Sequence, residues 1–198
     1  AAKTIASCIE CPPGRKGSVI GANSSEATCR DCQVGQHRPS TDSSGMATDP
    51  TNCIECGVGT YQSEMGQPFC TKCDAGEAGT GEDGMCKACD IGQYRSASMD
   101  AADCSICPTG WSSDIGSTKC LKCEGGKYGD IAGKACKNCQ KGMYRGVSEK
   151  DVTKCIGCPF GYYADKTGQR FCLGCDAGQY SDTSGMHLCK YCPNGFFQ

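Results

Sequence analysis

The sequence predicts an elongated array of small disulfide-rich repeats, made of short β-hairpins and loops with little or no helix and no large hydrophobic core. Three observations carry this. Of the 198 residues, 22 are cysteine, above the roughly 8–10% that marks a disulfide scaffold. Leu, Ile, Val and Phe together also number only 22, too few to bury a conventional core. Every cysteine lies in a CxxC pair, and the eleven pairs recur closely enough to define a repeat. Order must then come from covalent staples or metal ligands. The 28 glycines point to turns rather than long helices.

The pairs begin at Cys8, Cys29, Cys53, Cys70, Cys86, Cys104, Cys120, Cys136, Cys155, Cys172 and Cys189. From each second cysteine to the next first cysteine the numbering advances by 18, 21, 14, 13, 15, 13, 13, 16, 14 and 14. Three positions after each second cysteine stands a glycine, from Gly14 to Gly195, in all eleven pairs. Two positions further on the residue is aromatic at Tyr61, Tyr94, Tyr128, Tyr144, Tyr163, Tyr180 and Phe197, with His37 as a variant. Lys16, Ala78 and Ser112 depart from this rule, and Trp111 sits one place early. The unit is therefore CxxCxxGxY followed by a polar loop. Its glycine suits a tight turn with positive φ. Its ring offers a tiny module something large to lay over a disulfide. Hairpins around the GxY segment, with strands of about five residues or roughly 17 Å, are the expected secondary structure. Eleven modules at ~10–17 Å each would then make a rod on the order of 110–190 Å.

A longer period overlies the first. Asp49, Asp100 and Asp151 are 51 residues apart, each four residues before a first cysteine, and each follows an arginine, Arg38, Arg95 or Arg145. Gly66, Gly116 and Gly168 likewise precede Cys70, Cys120 and Cys172 by four residues. Three modules thus form a super-repeat of that period. Residues 1–52 hold two irregular modules, 53–103 and 104–154 one super-repeat each, and 155–198 a third, truncated at its end. The Arg–Asp pairs are expected to form a salt bridge or an Asp-capped turn within each loop. The alternative is a partner-binding surface that recurs in register once per super-repeat.

Paired CxxC motifs also suit structural zinc or thiol redox chemistry. Eleven pairs do not divide into four-cysteine sites, and the position after the second cysteine, where zinc ribbons favour glycine, is glycine only at Gly57. Histidine occurs only at His37 and His187. A redox cysteine needs a helix N-terminus in a βαβ setting, which this chain does not suggest. The reading is therefore disulfides, with no metal site and no cofactor.

Two cysteines separated by two residues on an extended strand bond each other poorly, so pairing should cross a loop. Serial pairing joins the second cysteine of one pair to the first of the next: Cys11–Cys29, Cys32–Cys53, Cys56–Cys70, Cys73–Cys86, Cys89–Cys104, Cys107–Cys120, Cys123–Cys136, Cys139–Cys155, Cys158–Cys172 and Cys175–Cys189. It leaves only Cys8 and Cys192. The rival, first with first and second with second, strands a whole CxxC when the pair count is odd. Parity favours the serial order without proving it. Joining the end of one copy to the start of another makes the step from Cys192 to Cys8 fourteen positions, inside the range of the internal steps, with Gly195 and Phe197 in place. The expectation is that these two cysteines continue the stapling as inter-module or inter-chain disulfides, in a longer array or a head-to-tail polymer.

Cys158-Pro-Phe-Gly-Tyr-Tyr163, with Gly168 and Cys172-Leu-Gly-Cys175, resembles the ephrin-receptor-like cysteine-rich repeat. Cys107-Pro-Thr-Gly110, with Gly116 and Cys120-Leu-Lys-Cys123, is a second close copy, and the resemblance extends from Cys8 to Phe197. The opening of each module is also similar to the smallest module of tumour necrosis factor receptor ectodomains. There the cysteine before xxGxY bonds the first cysteine after the loop, which implies Cys56–Cys70, Cys107–Cys120 and Cys158–Cys172. Long CxxC arrays are similar, too, to surface antigens of ciliates and parasitic flagellates, although the tail and GGCY signatures of the flagellate antigens are missing here. These resemblances imply an extracellular or cell-surface location and an elongated shape, but no common ligand.

The formal net charge of -2 gives no electrostatic case for nucleic acid. No apolar run approaches the ~20 residues of a membrane span, so any membrane anchoring would lie outside this segment. No signal peptide opens the sequence at Ala1; a secreted form would have lost it, or the chain is an internal segment. GxSxG, HExxH, phosphate-loop and EF-hand motifs are missing, and no enzyme activity is expected. Asn23-Ser24-Ser25 is a glycosylation sequon. Two functions remain. One is a structural rod or fibre of a cell coat, surface appendage or matrix, partnered by itself. The other is a receptor or adhesin ectodomain that binds a protein or glycan ligand.

Overall fold

From Cys29 to Cys175 each CxxC places two residues between two bonded cysteines, and those two residues lie in a strand. The structure is a computed structural model that describes residues 10–17, 29–40, 48–79, 84–99 and 102–197. It contains ten separate two-stranded antiparallel sheets and, among the described residues, no helix. Thr60–Tyr61 pairs with Thr71–Lys72, for example, and Lys127–Tyr128 with Lys137–Asn138. Strands are two residues long, three in the first hairpin (Arg15–Gly17 with Cys29–Asp31), and not the expected five. The reason is covalent: the outer strand is confined between cysteines that leave in opposite directions along the chain.

Ten disulfides join the second cysteine of each pair to the first of the next, from Cys11–Cys29 and Cys32–Cys53 through to Cys158–Cys172 and Cys175–Cys189. The Cα atoms of bonded cysteines stand 5.6–5.8 Å apart, the most common spacing for a disulfide. Each hairpin is opened by a turn. The residue four after the second cysteine donates its N–H to the carbonyl one after it, as Thr60 N does to Gly57 O at 3.0 Å and Lys127 N to Glu124 O at 3.0 Å. The third turn position is the repeated glycine, at φ between 76° and 88° in all eleven cases. That is the left-handed value a type II turn demands of its third residue.

The core is sulfur. Cys32, Cys107, Cys139 and Cys158, all second cysteines, are fully buried, whereas first cysteines stay mostly half-exposed. Val152 is the only Leu, Ile, Val or Phe in the buried class among the described residues. The aromatic residues after the repeated glycine are half-buried at Tyr61, Tyr94, Tyr128, Tyr144, Tyr163 and Tyr180, and Phe197 is exposed. They flank the core and do not make it.

The chain divides into two compact units, residues 1–89 with 95–104, and residues 90–94 with 105–198. Each is built from the same hairpin and staple.

Ten loops closed by disulfides each gain roughly 3 kcal/mol in the chain-entropy model, a model-dependent figure. Full reduction is expected to abolish the near-UV dichroism and protease resistance of the protein. Treatment with a metal chelator is expected to leave both unchanged. Retention of structure after complete, alkylation-verified reduction would show that burial and not bonding holds the fold.

Candidate functional site

With so little apolar surface to bury, the chemistry that matters lies where one module meets the next. A module runs here from a second cysteine to the strand before the next second cysteine. Its repeated glycine makes two bonds. The glycine carbonyl accepts the N–H of the next second cysteine, as Gly59 O does from Cys73 at 2.9 Å, closing the hairpin beside its disulfide. The glycine N–H leaves the module and donates to the carbonyl six residues after the next second cysteine.

In the first unit these rungs are Gly14–Arg38, Gly35–Gln62, Gly59–Gly79 and Gly76–Arg95. In the second they are Gly92–Ser113, Gly110–Gly129, Gly126–Arg145, Gly142–Ala164 and Gly161–Ser181. All nine lie at 2.7–3.0 Å. The accepting position is mostly buried: Arg38, Gln62, Arg95, Ser113, Gly129, Arg145, Ala164 and Ser181 are all in the buried class. Its identity cycles in threes, Gly17, Arg38, Gln62, then Gly79, Arg95, Ser113, then Gly129, Arg145, Ala164. This cycle underlies the longer period of the sequence.

The arginines occupy the centre of that cycle, and their placement corrects the sequence reading. Arg38 and Arg145 do not bridge to the aspartate of their own loop, and none of the three arginines presents a surface for a partner. Arg38, Arg95 and Arg145 are 1%, 2% and 0% exposed. Each turns its guanidinium back into the preceding module. Arg95 Nη2 donates to Cys73 O at 2.9 Å and also to Asp74 O, while Nε donates to Glu77 O. Arg145 makes the same three bonds, to Cys123 O and Glu124 O at 2.5 Å each and to Lys127 O. Arg38 does so with Cys11 O, Pro12 O and Arg15 O, and adds an ion pair to Glu10 Oε1 at 3.1 Å. The carbonyls are those of the second cysteine, the residue after it and the residue after the repeated glycine. A planar fork of donors on a long stem fits three fixed acceptors, which an ammonium does not. Arg145 Nη1 is the only buried side-chain nitrogen or oxygen without a partner among the described residues.

In other modules the cysteine carbonyl accepts a backbone N–H instead. Gly66 donates to Cys32 O, Gly133 to Cys107 O, Gly168 to Cys139 O and Gly185 to Cys158 O, at 2.8–2.9 Å. Arginine therefore stands in for a loop glycine in the modules with the longer loops.

The aspartates cap their own turns, as the sequence suggests. Asp49 Oδ1 accepts from Thr51 N at 2.8 Å and Thr51 Oγ1 at 2.6 Å, and Asp151 Oδ1 accepts from Thr153 N at 2.9 Å and Thr153 Oγ1 at 2.6 Å. The Thr153 hydroxyl, then its amide, then Lys154 hold the Asp151 pKa down to about 2; the Thr51 hydroxyl and amide lower that of Asp49. Asp100 lies outside the described residues, as do Cys8 and the sequon at Asn23. Cys192 is a free thiol, half-exposed. Ion pairs across exposed loops recur at Lys137–Asp130 and Lys190–Asp182, both 2.9 Å, and contribute little at this exposure. A shallow depression lined by Asp90, Ile91, Ile115, Gly133, Lys134 and Ala135 brings together one carboxylate and one ammonium. His37, where most modules carry a ring, sets Nδ1 3.1 Å from Cys70 Sγ.

Two segments, residues 46–84 and 146–185, match the family model described as tyrosine-protein kinase ephrin type A/B receptor-like. Each spans two successive CxxC pairs, Cys53 to Cys73 and Cys155 to Cys175, and the disulfide between them. In these two segments the chain is similar to the ephrin-receptor-like cysteine-rich repeat. The stretch from Cys107 to Cys123 lies outside both matched segments but has the same hairpin and disulfide. No curated protein matches the chain. An ephrin-receptor-like repeat is a non-catalytic extracellular module, and this family, together with ten disulfides, points to an extracellular location.

Replacing Arg145 by Met, or by Lys, removes the guanidinium from the carbonyls of Cys123 and Lys127, while Glu124 O keeps the Lys127 amide. At roughly 1.5–3 kcal/mol for a charge-assisted hydrogen bond, the net loss is expected at about 2–4 kcal/mol in denaturant with disulfides intact. Amide exchange at Gly126, the rung donor to Arg145, is expected to rise at least about tenfold; unchanged exchange would remove the clamp. A folded-state pKa below the ordinary carboxylate value stabilises the turn above about pH 4, and that contribution fades as pH falls towards 2. A carboxyl NMR titration of Asp151 is expected to have its midpoint near 2, moving up in Thr153→Val.

Proposed function

We propose that this chain is a structural component of a cell coat, surface appendage or extracellular matrix, a disulfide-stapled rod or fibre that associates with copies of itself or continues as a longer array. The observation that carries the proposal is the recurrence of one module-to-module bond set. In each unit the same glycine rung is repeated, and every third module adds an arginine clamp. A protein that reuses one junction extends in one dimension by adding modules. In this reading the segments 53–103 and 104–154 are the mechanical period, with their clamps at Arg95 and Arg145.

A receptor or adhesin ectodomain for a protein or glycan ligand is the second reading. Its support is the surface: sixteen of the eighteen described Leu, Ile, Val and Phe residues are exposed, including Phe69, Phe160 and Phe171 at 65–68%. Apolar side chains left outside serve contact with a partner when they gather in a patch. The receptor named in the matching family is a further support.

Electron microscopy of the negatively stained protein separates the two. Long regular filaments are expected of the structural component, and short separate rods of the ectodomain. In either case small-angle scattering is expected to give the profile of an extended particle. A compact particle would refute both.

A further inference from the structure

We propose that His37, Cys56 and Cys70 form a redox-gated site for a soft divalent cation, closed while Cys56–Cys70 is a disulfide and available once that bond is reduced. The imidazole and the two sulfurs already converge. His37 Nδ1 is 3.1 Å from Cys70 Sγ, and the three donor atoms all lie within 4.8 Å of one another. A tetrahedral zinc with bonds of about 2.3 Å to sulfur and about 2.0–2.1 Å to nitrogen needs its donors roughly 3.4–3.8 Å apart. Opening the S–S bond lets the sulfurs reach that spacing with no large movement of the chain. Cys56 is buried, while His37 and Cys70 are half-exposed, so an ion has a way in and a coordination position left for water.

The cradle has contacts besides the bond that is broken. Cys56 N donates to Gly35 O at 2.8 Å, Gly66 N to Cys32 O at 2.9 Å, and the Thr60–Tyr61 strand pairs with Thr71–Lys72. The neighbouring disulfides Cys32–Cys53 and Cys73–Cys86 are separate bonds on either side of it. One nitrogen and two thiolates are a donor set for zinc or cadmium, not for calcium or magnesium.

The chemistry balances with an external thiol as reductant. Its thiolate attacks one sulfur of Cys56–Cys70, the S–S bond breaks, and the other sulfur leaves as thiolate. A second external thiolate then attacks the first at the mixed disulfide, releasing the remaining cysteine and an external disulfide. The two reductant thiols supply two electrons and two protons, leaving Cys56 and Cys70 as thiols. A phosphine with water does the same: phosphorus takes the oxygen as phosphine oxide, and the water's two protons go to the two sulfurs. Binding of the cation releases those two protons.

The chain supplies its own control. Cys158–Cys172 closes a loop of the same length, with the same separation of 14, and there Tyr144 holds the place of His37. The experiment equilibrates the full chain in monothiol–disulfide redox buffers of graded ratio, with and without Zn2+, and follows each bond by differential alkylation and peptide mapping. Because a cation that binds only the open form favours opening, zinc is expected to lower the reductant needed at Cys56–Cys70 by about tenfold or more and to leave Cys158–Cys172 unmoved. Co2+ in place of zinc is expected to give thiolate charge-transfer absorption. His37→Tyr, which installs the residue used elsewhere in the repeat, is expected to abolish both effects while circular dichroism of the oxidised protein stays unchanged. An equal effect of zinc on the two bonds, or its persistence in His37→Tyr, would overturn the proposal.

Discussion

From Cys29 to Cys175 the two cysteines of each pair belong to different disulfides, and the rest of the structure follows from that division. One sulfur closes the loop that has just ended and the other closes the loop about to begin. Two residues remain between them, enough for two ladder positions and no more. A strand of that length has no independent stability in water. It persists because each end is covalently fixed and because the second cysteine's own N–H is bonded to the glycine carbonyl of the hairpin it completes, as Cys139 is to Gly126 at 2.8 Å. Hydrogen bond and disulfide close the same gap from opposite sides of one residue.

A chain of such hairpins would still be a string of beads unless neighbours were joined by more than the backbone. The glycine rung supplies the joint, and it works because a left-handed φ aims that N–H away from its own hairpin. A side chain there meets an unfavourable backbone conformation and, at several rungs, the neighbour: a Cβ on Gly126 would lie 2.0 Å from Gly168 O, and one on Gly142 1.9 Å from Gly185 O. The second joint is the carbonyl of the buried cysteine. The shorter loops, whose closing cysteines are separated by 13 or 14 in sequence, bring a glycine N–H to it at Gly133, Gly168 and Gly185. The loops that follow Cys32, Cys89 and Cys139, closed at separations of 21, 15 and 16, are the ones that carry the buried arginines. There a guanidinium reaches the same acceptor and takes two more. Burying a positive charge is costly unless every donor finds an oxygen; here backbone carbonyls, which carry no charge to be paired, do most of that work.

Much of this is legible in the sequence. The spacing of cysteine, glycine and ring identifies the module, the hairpins and the poverty of the core, because covalent closure leaves its mark at fixed intervals. Strand length is not legible in the same way, since the general preference for five residues ignores what a CxxC permits. Arg38, Arg95 and Arg145 are conspicuous, but their partners are not. A charged residue 11 positions before Asp49, or 6 before Asp151, reads naturally as its ion partner, and nothing in a linear pattern says that a guanidinium will fold back about twenty residues. The usable signal is the position itself. Read down the modules, the residue six after each second cysteine runs Gly, Arg, then Gln, Ser or Ala, and an arginine alternating with residues too small or too uncharged to replace it on a surface points inward.

The distribution of side chains inverts the usual rule and has a reason. In an ordinary domain apolar burial opposes chain entropy, so leucines and phenylalanines cannot be spared for the surface. Here disulfides reduce the entropy of the unfolded chain directly, and the interior is too thin to hold more than sulfur, glycine and a flat guanidinium. Ile54, Ile106, Leu121 and Phe171 are therefore exposed because the fold has no place for them, and their identity is free of any folding constraint. The module fixes six or seven positions and leaves the remainder to vary. A scaffold of that kind can change what it touches without changing how it folds, and this is why the family resemblance specifies the material of the chain more narrowly than it specifies the partner.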